Sequence, residues 1–137
     1  MTDAQRVCLF VAAVACAISN VALAQTRETQ ERNLQKYLKY AGDPVEEFPF
    51  WRLDHFELVG PDKVVVWPTV RNAYLVIVSA PCTKLEWAMA IGVTSEQRHV
   101  VSRKFDHVTT GSERCKIEQI RPIDYKTMQR DQQSGKS

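Results

Sequence analysis

Residues 56–78, FELVGPDKVVVWPTVRNAYLVIV, hold three runs of β-branched and aromatic side chains separated by two sets of turn residues. Such side chains pack well on a pleated surface, so each run reads as a strand. Gly60-Pro61-Asp62 suits a hairpin turn, because proline presets one backbone angle and aspartate can bond its own main chain. Arg71-Asn72 marks the second link. Parallel neighbours need a crossover of roughly a dozen residues or more, which neither link supplies, so successive strands are expected to pair antiparallel as a meander.

Working outward, strands are expected at 50–58, 63–67 and 73–79, then at 99–104, 105–109 and 116–120. Upstream, Leu34, Tyr37, Leu38 and Ala41 recur at helical spacing on one face, closed by Gly42 and Pro44. Between the third and fourth strands, Thr83-x-x-Glu86 has the form of a capping box. It would open a two-turn helix with Leu85, Ala88 and Met89 on one face, Trp87 folded back as a hydrophobic staple and Gly92 as the stop. Pro122 should end the last strand, and Asp124 should cap a short turn containing Tyr125 and Met128.

The expected fold is therefore α+β. An antiparallel sheet of five to six strands, curled or closed as a small barrel to hide its edges, carries an N-terminal helix and a short helix between strands three and four. An open sheet covered on one face by the N-terminal helix is the alternative. The expected organisation is a signal peptide at 1–24, a helix at 25–43, a single β-rich domain at 44–128 and a disordered tail at 129–137, where RDQQSGKS has nothing apolar to bury.

The leader reading rests on an apolar stretch from Val7 to Ile18 followed by Ala22-Leu23-Ala24, which places cleavage before Gln25 and export to an oxidising compartment, the periplasm. Ala13-Val14-Ala15-Cys16 supports a second pattern, lipidation at Cys16 and membrane anchoring. The apolar stretch is shorter than the roughly 20 residues a spanning helix needs, so no transmembrane segment is expected. The chain has four cysteines, and leader removal would discard Cys8 and Cys16, leaving Cys82 and Cys115 as an even pair. A disulfide between them is the expectation. A reactive Cys82 thiolate near a helix start is the competing reading.

The net charge is +2, both signs are interspersed, and no basic run exceeds Arg103-Lys104, which argues against nucleic acid as a partner. Serine-nucleophile motifs and glycine-rich phosphate loops are absent from the sequence, so no catalytic residue or cofactor is assigned. The candidates for chemistry are Asp54-His55 and Asp106-His107, which could form a metal site or an oriented base if the two histidines converged. Neighbours on a strand point to opposite faces, so neither aspartate is expected to orient the histidine beside it. The candidates for binding are Trp67, Arg71 and Asn72 in one loop, together with Arg52 and Arg121.

The stretches FWRLDHFELVGPDKVVVWPTVRNAYLVIVSAPC (50–82), FDHV (105–108) and CKIEQIRPID (115–124), taken in order, resemble a family of small bacterial exported proteins classed as a domain of unknown function. The resemblance spans about residues 40–125. It implies an envelope-associated protein with a paired Cys82 and Cys115, some relatives being lipoproteins, and no activity to transfer. Ala13 stands where the lipoprotein pattern has leucine.

Three functions are compatible with these features. One is a non-enzymatic periplasmic binding or accessory module for a small ligand or an envelope protein. Another is a small hydrolase or metal-dependent enzyme using Asp54, His55, Asp106 and His107. The third is an envelope protein that docks through Tyr37, Leu38 and Tyr40 of its N-terminal helix.

Overall fold

The structure, a computed structural model, describes residues 26–135. The expected leader, its cleavage site and the Cys16 alternative lie outside the described residues. Helix α1 covers 26–38. The strands are β1 (Glu47–Pro49), β2 (His55–Gly60), β3 (Lys63–Trp67), β4 (Ala73–Val78), β5 (Gly92–Val93), β6 (Val100–Ser102), β7 (His107–Thr109) and β8 (Arg114–Ile123). Helix α2 is Tyr125–Ser134.

The fold is α+β: a curled, half-barrel-like antiparallel sheet in the order β2-β3-β4-β8-β7-β5, with β1 and β6 paired as a separate two-stranded sheet. The meander holds from β2 to β4. β4 then pairs with β8, the last strand, from Ala73↔Ile123 to Val78↔Ile117. The four residues Val64 to Trp67 are all buried, because both faces of the sheet are covered. Val64 and Val66 join the inner core with Phe48, Leu85, Val101, Ile117 and Ile120. Val65 and Trp67 face the helices, meeting Leu34, Tyr37 and Met128. An unbroken apolar run is what two buried faces require.

Helix α1 spends its apolar face on the sheet, since Leu34 and Tyr37 are buried and Leu38 and Tyr40 pack beside them. The Tyr37 hydroxyl donates to the Glu57 carboxylate on β2, which also accepts from Asn33 at 3.0 Å. Burial first, and the Glu57 carboxylate second, push the Tyr37 phenol well above its ordinary value. After α1 the chain runs beside β8, through Gly42 N to Pro122 O and Val45 N to Ile120 O, both at 2.8 Å. No helix among the described residues is long and apolar enough to cross a membrane.

Several local expectations are corrected. The expected strand 50–58 is two elements, because Phe50 bonds to His99 beside β6 whereas Asp54 N bonds to Trp67 O beside β3. Pro122 does not end the last strand. Its carbonyl points to Gly42, and the N and O of one strand residue point the same way, so the missing N–H faces that irregular segment and spares the β4 ladder. The expected strands 99–104 and 105–109 shorten to β6 and β7, separated by a turn. Helix α2 occupies most of the segment expected to be disordered, because Met128 is buried against the sheet.

The capping box does not form. The element is a single 3-10 turn, Leu85–Trp87, without a side-chain cap, and the Thr83 hydroxyl donates instead to Glu113 at 3.1 Å. Leu85 alone of its expected apolar face is buried, while Trp87 is exposed rather than folded back as a staple. Gly92 belongs to β5 rather than to a helix stop. A Cβ there would lie 2.6 Å from Thr109 Oγ1, so a side chain at 92 would require the Thr109 side chain to move.

Candidate ligand-binding site

The sequence candidates divide once their surroundings are known. Trp67 does not belong to a recognition surface: it is 2% exposed, flanked edge-on by Tyr37 and Tyr125 and covered by the His55 ring at 4.0 Å between centroids. Burying the largest side chain of β3 against both helices uses it as core. Asp54 does orient His55, contrary to the strand-alternation argument, with Oδ2 at 2.9 Å from Nδ1. Asp54 lies just before β2, where the alternation of a pleat does not apply.

The second pair serves the fold. Asp106 is fully buried and lies between the turn at 103–105 and β7; its Oδ1 accepts from Thr94 Oγ1 at 2.9 Å and from Glu96 N at 2.8 Å, and its Oδ2 accepts from Ser102 N at 2.6 Å. Three donors from two segments therefore converge on one carboxylate, which ties loop 94–96 to the end of β6. His107 lies on β7 with its amide donating to Thr94 Oγ1 at 2.8 Å. Among the described residues, the grouping of His, Cys, Asp or Glu with metal-ligand spacing is Cys82, Glu113 and Cys115, and the two Asp-His pairs are not brought together. Both cysteine sulfurs of that group are already in a disulfide, with Cα atoms 5.7 Å apart. The bond anchors the segment before the 3-10 turn to β8.

Arg121 binds backbone: its Nε donates to Gly42 O at 2.9 Å and its guanidinium to Ala41 O at 3.4 Å, clamping the end of the helical segment to β8. Arg52 is exposed.

Arg71 and Asn72 have a different setting. Because Ala73 pairs with Ile123, the loop entering β4 and the helix leaving β8 emerge at the same end of the sheet. Thr69 Oγ1 accepts from the amides of Arg71 at 3.3 Å and Asn72 at 3.1 Å, which fixes the loop. On the facing side, Asp124 caps α2, accepting from Thr127 N at 3.1 Å and Thr127 Oγ1 at 2.8 Å. These bonds hold the Asp124 carboxyl below its usual range. The capped first turn places Lys126 and Gln129 three residues apart on one helix face.

Arg71, Asn72, Lys126 and Gln129 line a recess of about 390 Å³. Its walls hold two cations and two carboxamides, and no carboxylate. Neither cation forms an ion pair within 4.0 Å among the described residues. Sequence reasoning set Lys126 in a short turn capped by Asp124 and Gln129 at the start of a disordered tail, and assigned neither to binding. The Asp124 cap was legible, but the helix it opens runs on to Ser134 rather than ending after one turn.

The family model described as a Family of unknown function (DUF6491) matches residues 4–137. The chain belongs to that family. No curated protein and no solved structure gives a significant match. For this DUF6491 member, function has to be argued from the side chains themselves, and the disulfide between Cys82 and Cys115 is the family-level expectation that the fold meets.

Proposed function

We propose that the protein is an exported, non-enzymatic binding module that takes a small anionic ligand, or an acidic chain end, in the recess between loop 68–72 and α2. The observation that carries this reading is the pairing of Arg71 and Asn72 with Lys126 and Gln129 around a ligand-sized recess without a carboxylate on its walls. Guanidinium and ammonium groups supply charge, and carboxamides supply oriented donors for carboxylate or phosphate oxygens. Export is supported by the disulfide, a bond that persists in oxidising compartments. A binding role is favoured over catalysis because Asp106 is committed to three internal donors and Arg121 to backbone carbonyls. Arg52 and the Asp54-His55 pair stand outside the recess lining.

The test is titration of the isotope-labelled, oxidised protein with sodium phosphate and, separately, with succinate. Saturable amide shifts centred on Arg71, Asn72, Lys126 and Gln129 are expected. The double variant R71Q/K126Q should bind about tenfold more weakly or worse. Unsaturable drift in the native protein, or undiminished binding by the double variant, refutes the reading. Fractionation of cells expressing the full chain tests export, and retention in the cytosol with free thiols would count against it.

A further inference from the structure

The disulfide brace carries a third group, Glu113, in the link between β7 and β8. One ligand atom from each of Cys82, Glu113 and Cys115 lies within 4.8 Å of the others, and Glu113 Oε1 is 3.6 Å from Cys115 Sγ. The sulfurs are together because they are bonded, so the carboxylate is the informative member. A disulfide is neutral and has no proton to donate, and it gives a carboxylate no reason to stay beside it.

Two donors hold Glu113 there. Its Oε2 accepts from Thr83 Oγ1 and its Oε1 from Lys84 N, both at 3.1 Å, while the Lys84 ammonium goes to Ser112 Oγ at 2.9 Å. Glu113 forms no ion pair within 4.0 Å among the described residues. Each of its oxygens has accepted one hydrogen bond and keeps a second acceptor position. Hydrogen bonds of this kind orient the ligands of metal ions.

Reduction changes what the sulfurs can do. Two thiolates and a carboxylate are a donor set that zinc takes, at about 2.3 Å for sulfur and about 2.0–2.2 Å for oxygen. Two thiolates on one tetrahedral zinc stand about 3.8 Å apart, a separation that Cα atoms 5.7 Å apart reach by side-chain rotation. The group lies at the margin of the core: Cys82 is 8% exposed, and Pro81, Thr83 and Ser112 around it are exposed. Water has access on that side and supplies the fourth ligand. In a chain that folds reduced, binding and folding are linked, so the ion needs no path through finished packing.

We propose that the reduced protein holds one zinc ion on Cys82, Cys115 and Glu113, and that disulfide formation expels it. Each cysteine gives its proton to solvent as the ion binds. Release requires an oxidant of the disulfide class. One thiolate attacks the S–S bond of the oxidant, the other displaces the mixed disulfide, and the oxidant departs as a dithiol with two protons from water. Two electrons pass from the cysteine sulfurs to the oxidant, and zinc leaves as the divalent ion. A chain made in a reducing compartment and exported to an oxidising one meets both conditions. The site shares no residue with the recess beside α2, and the two can fail independently.

The experiment uses the full chain, reduced with a phosphine, stripped of metal and titrated anaerobically with cobalt(II) and then zinc(II). Sulfur-to-cobalt charge-transfer absorption with the visible bands of a four-coordinate ion is expected, saturating at one ion per chain and bleached by zinc. The oxidised protein and C82S/C115S should show neither. Glu113→Gln should weaken zinc binding about tenfold, whereas Glu118→Gln, exposed on the same β8, should leave it unchanged. If the reduced, metal-free chain is unfolded, zinc should restore the circular dichroism of the oxidised protein. Adding a small-molecule disulfide to the zinc-loaded protein should release the ion as the thiols disappear, followed with a zinc indicator dye. Absence of charge-transfer absorption in the reduced chain, or equal zinc affinity in the native and Glu113→Gln proteins, overturns the proposal.

Discussion

Asp106→Asn separates a structural carboxylate from a catalytic one. The native side chain receives Thr94 Oγ1 and Glu96 N on one oxygen and Ser102 N on the other. Asparagine keeps one oxygen, which can serve the first two donors, and turns an NH2 group towards Ser102 N. The charge-assisted bond from Ser102 N, worth about 1.5–3 kcal/mol, is lost, and two donors are left facing each other at a further cost of about 1–3 kcal/mol. The expected destabilisation is about 3–5 kcal/mol, or roughly 12–20 °C in melting temperature for a chain of this size. Urea denaturation followed by tryptophan fluorescence measures it, with hydrogen exchange at Glu96 and Ser102 as the local probe. A loss below about 1 kcal/mol, with protection at both amides unchanged, would show that the carboxylate does not hold the loop.

Removing the disulfide by C82S/C115S releases a closed loop of 33 residues, and chain entropy assigns it about 3–4 kcal/mol; equal denaturation midpoints for the variant and the oxidised native protein would refute this. Tyr37→Phe deletes the hydroxyl donated to Glu57 and should cost about 1–2 kcal/mol at neutral pH, read by chemical denaturation. The folded-state pKa of Tyr37 is raised, so its contribution is complete below the unfolded value near pH 10 and is lost as pH rises beyond it. Alkaline unfolding curves of the native and Y37F proteins should therefore converge, and parallel curves would contradict the assignment. Asp124 has the opposite sign, because its folded pKa is lowered: its support of α2 is complete above the ordinary carboxylate range and is lost as pH falls through the lowered value. Circular dichroism should show helix loss on acidification in the native protein that is absent in Asp124→Ala.

What was legible in the sequence was local. Runs of valine and aromatic residues separated by turn residues define β2, β3 and β4, and links too short for a crossover make them antiparallel. The spacing of Leu34 and Tyr37 defines the buried stripe of α1. The pairing of Cys82 with Cys115 followed from counting cysteines and reading a compartment. Each of these properties depends on near neighbours or on covalent chemistry.

Competition between partners was not legible. Thr83 had a local capping option and took Glu113 instead, because the disulfide and the link between β7 and β8 bring that carboxylate within reach. Trp67 had the composition of a recognition loop, yet the two helices converge on it, and burial of a large ring outweighs exposure. Asp106 and His107 adjoin in sequence, but the aspartate is claimed by amides from loop 94–96 and β6. Arg71 was readable as a cation in a loop, whereas Lys126 became its neighbour on the recess only because Ala73 pairs with Ile123 and brings loop and helix to one sheet end. The sequence by itself determined strands β2 to β4, the buried stripe of α1 and which cysteines join. The tertiary structure alone decided which polar groups remain free to meet a ligand, because a donor or a charge is available only after every competing internal partner has been satisfied.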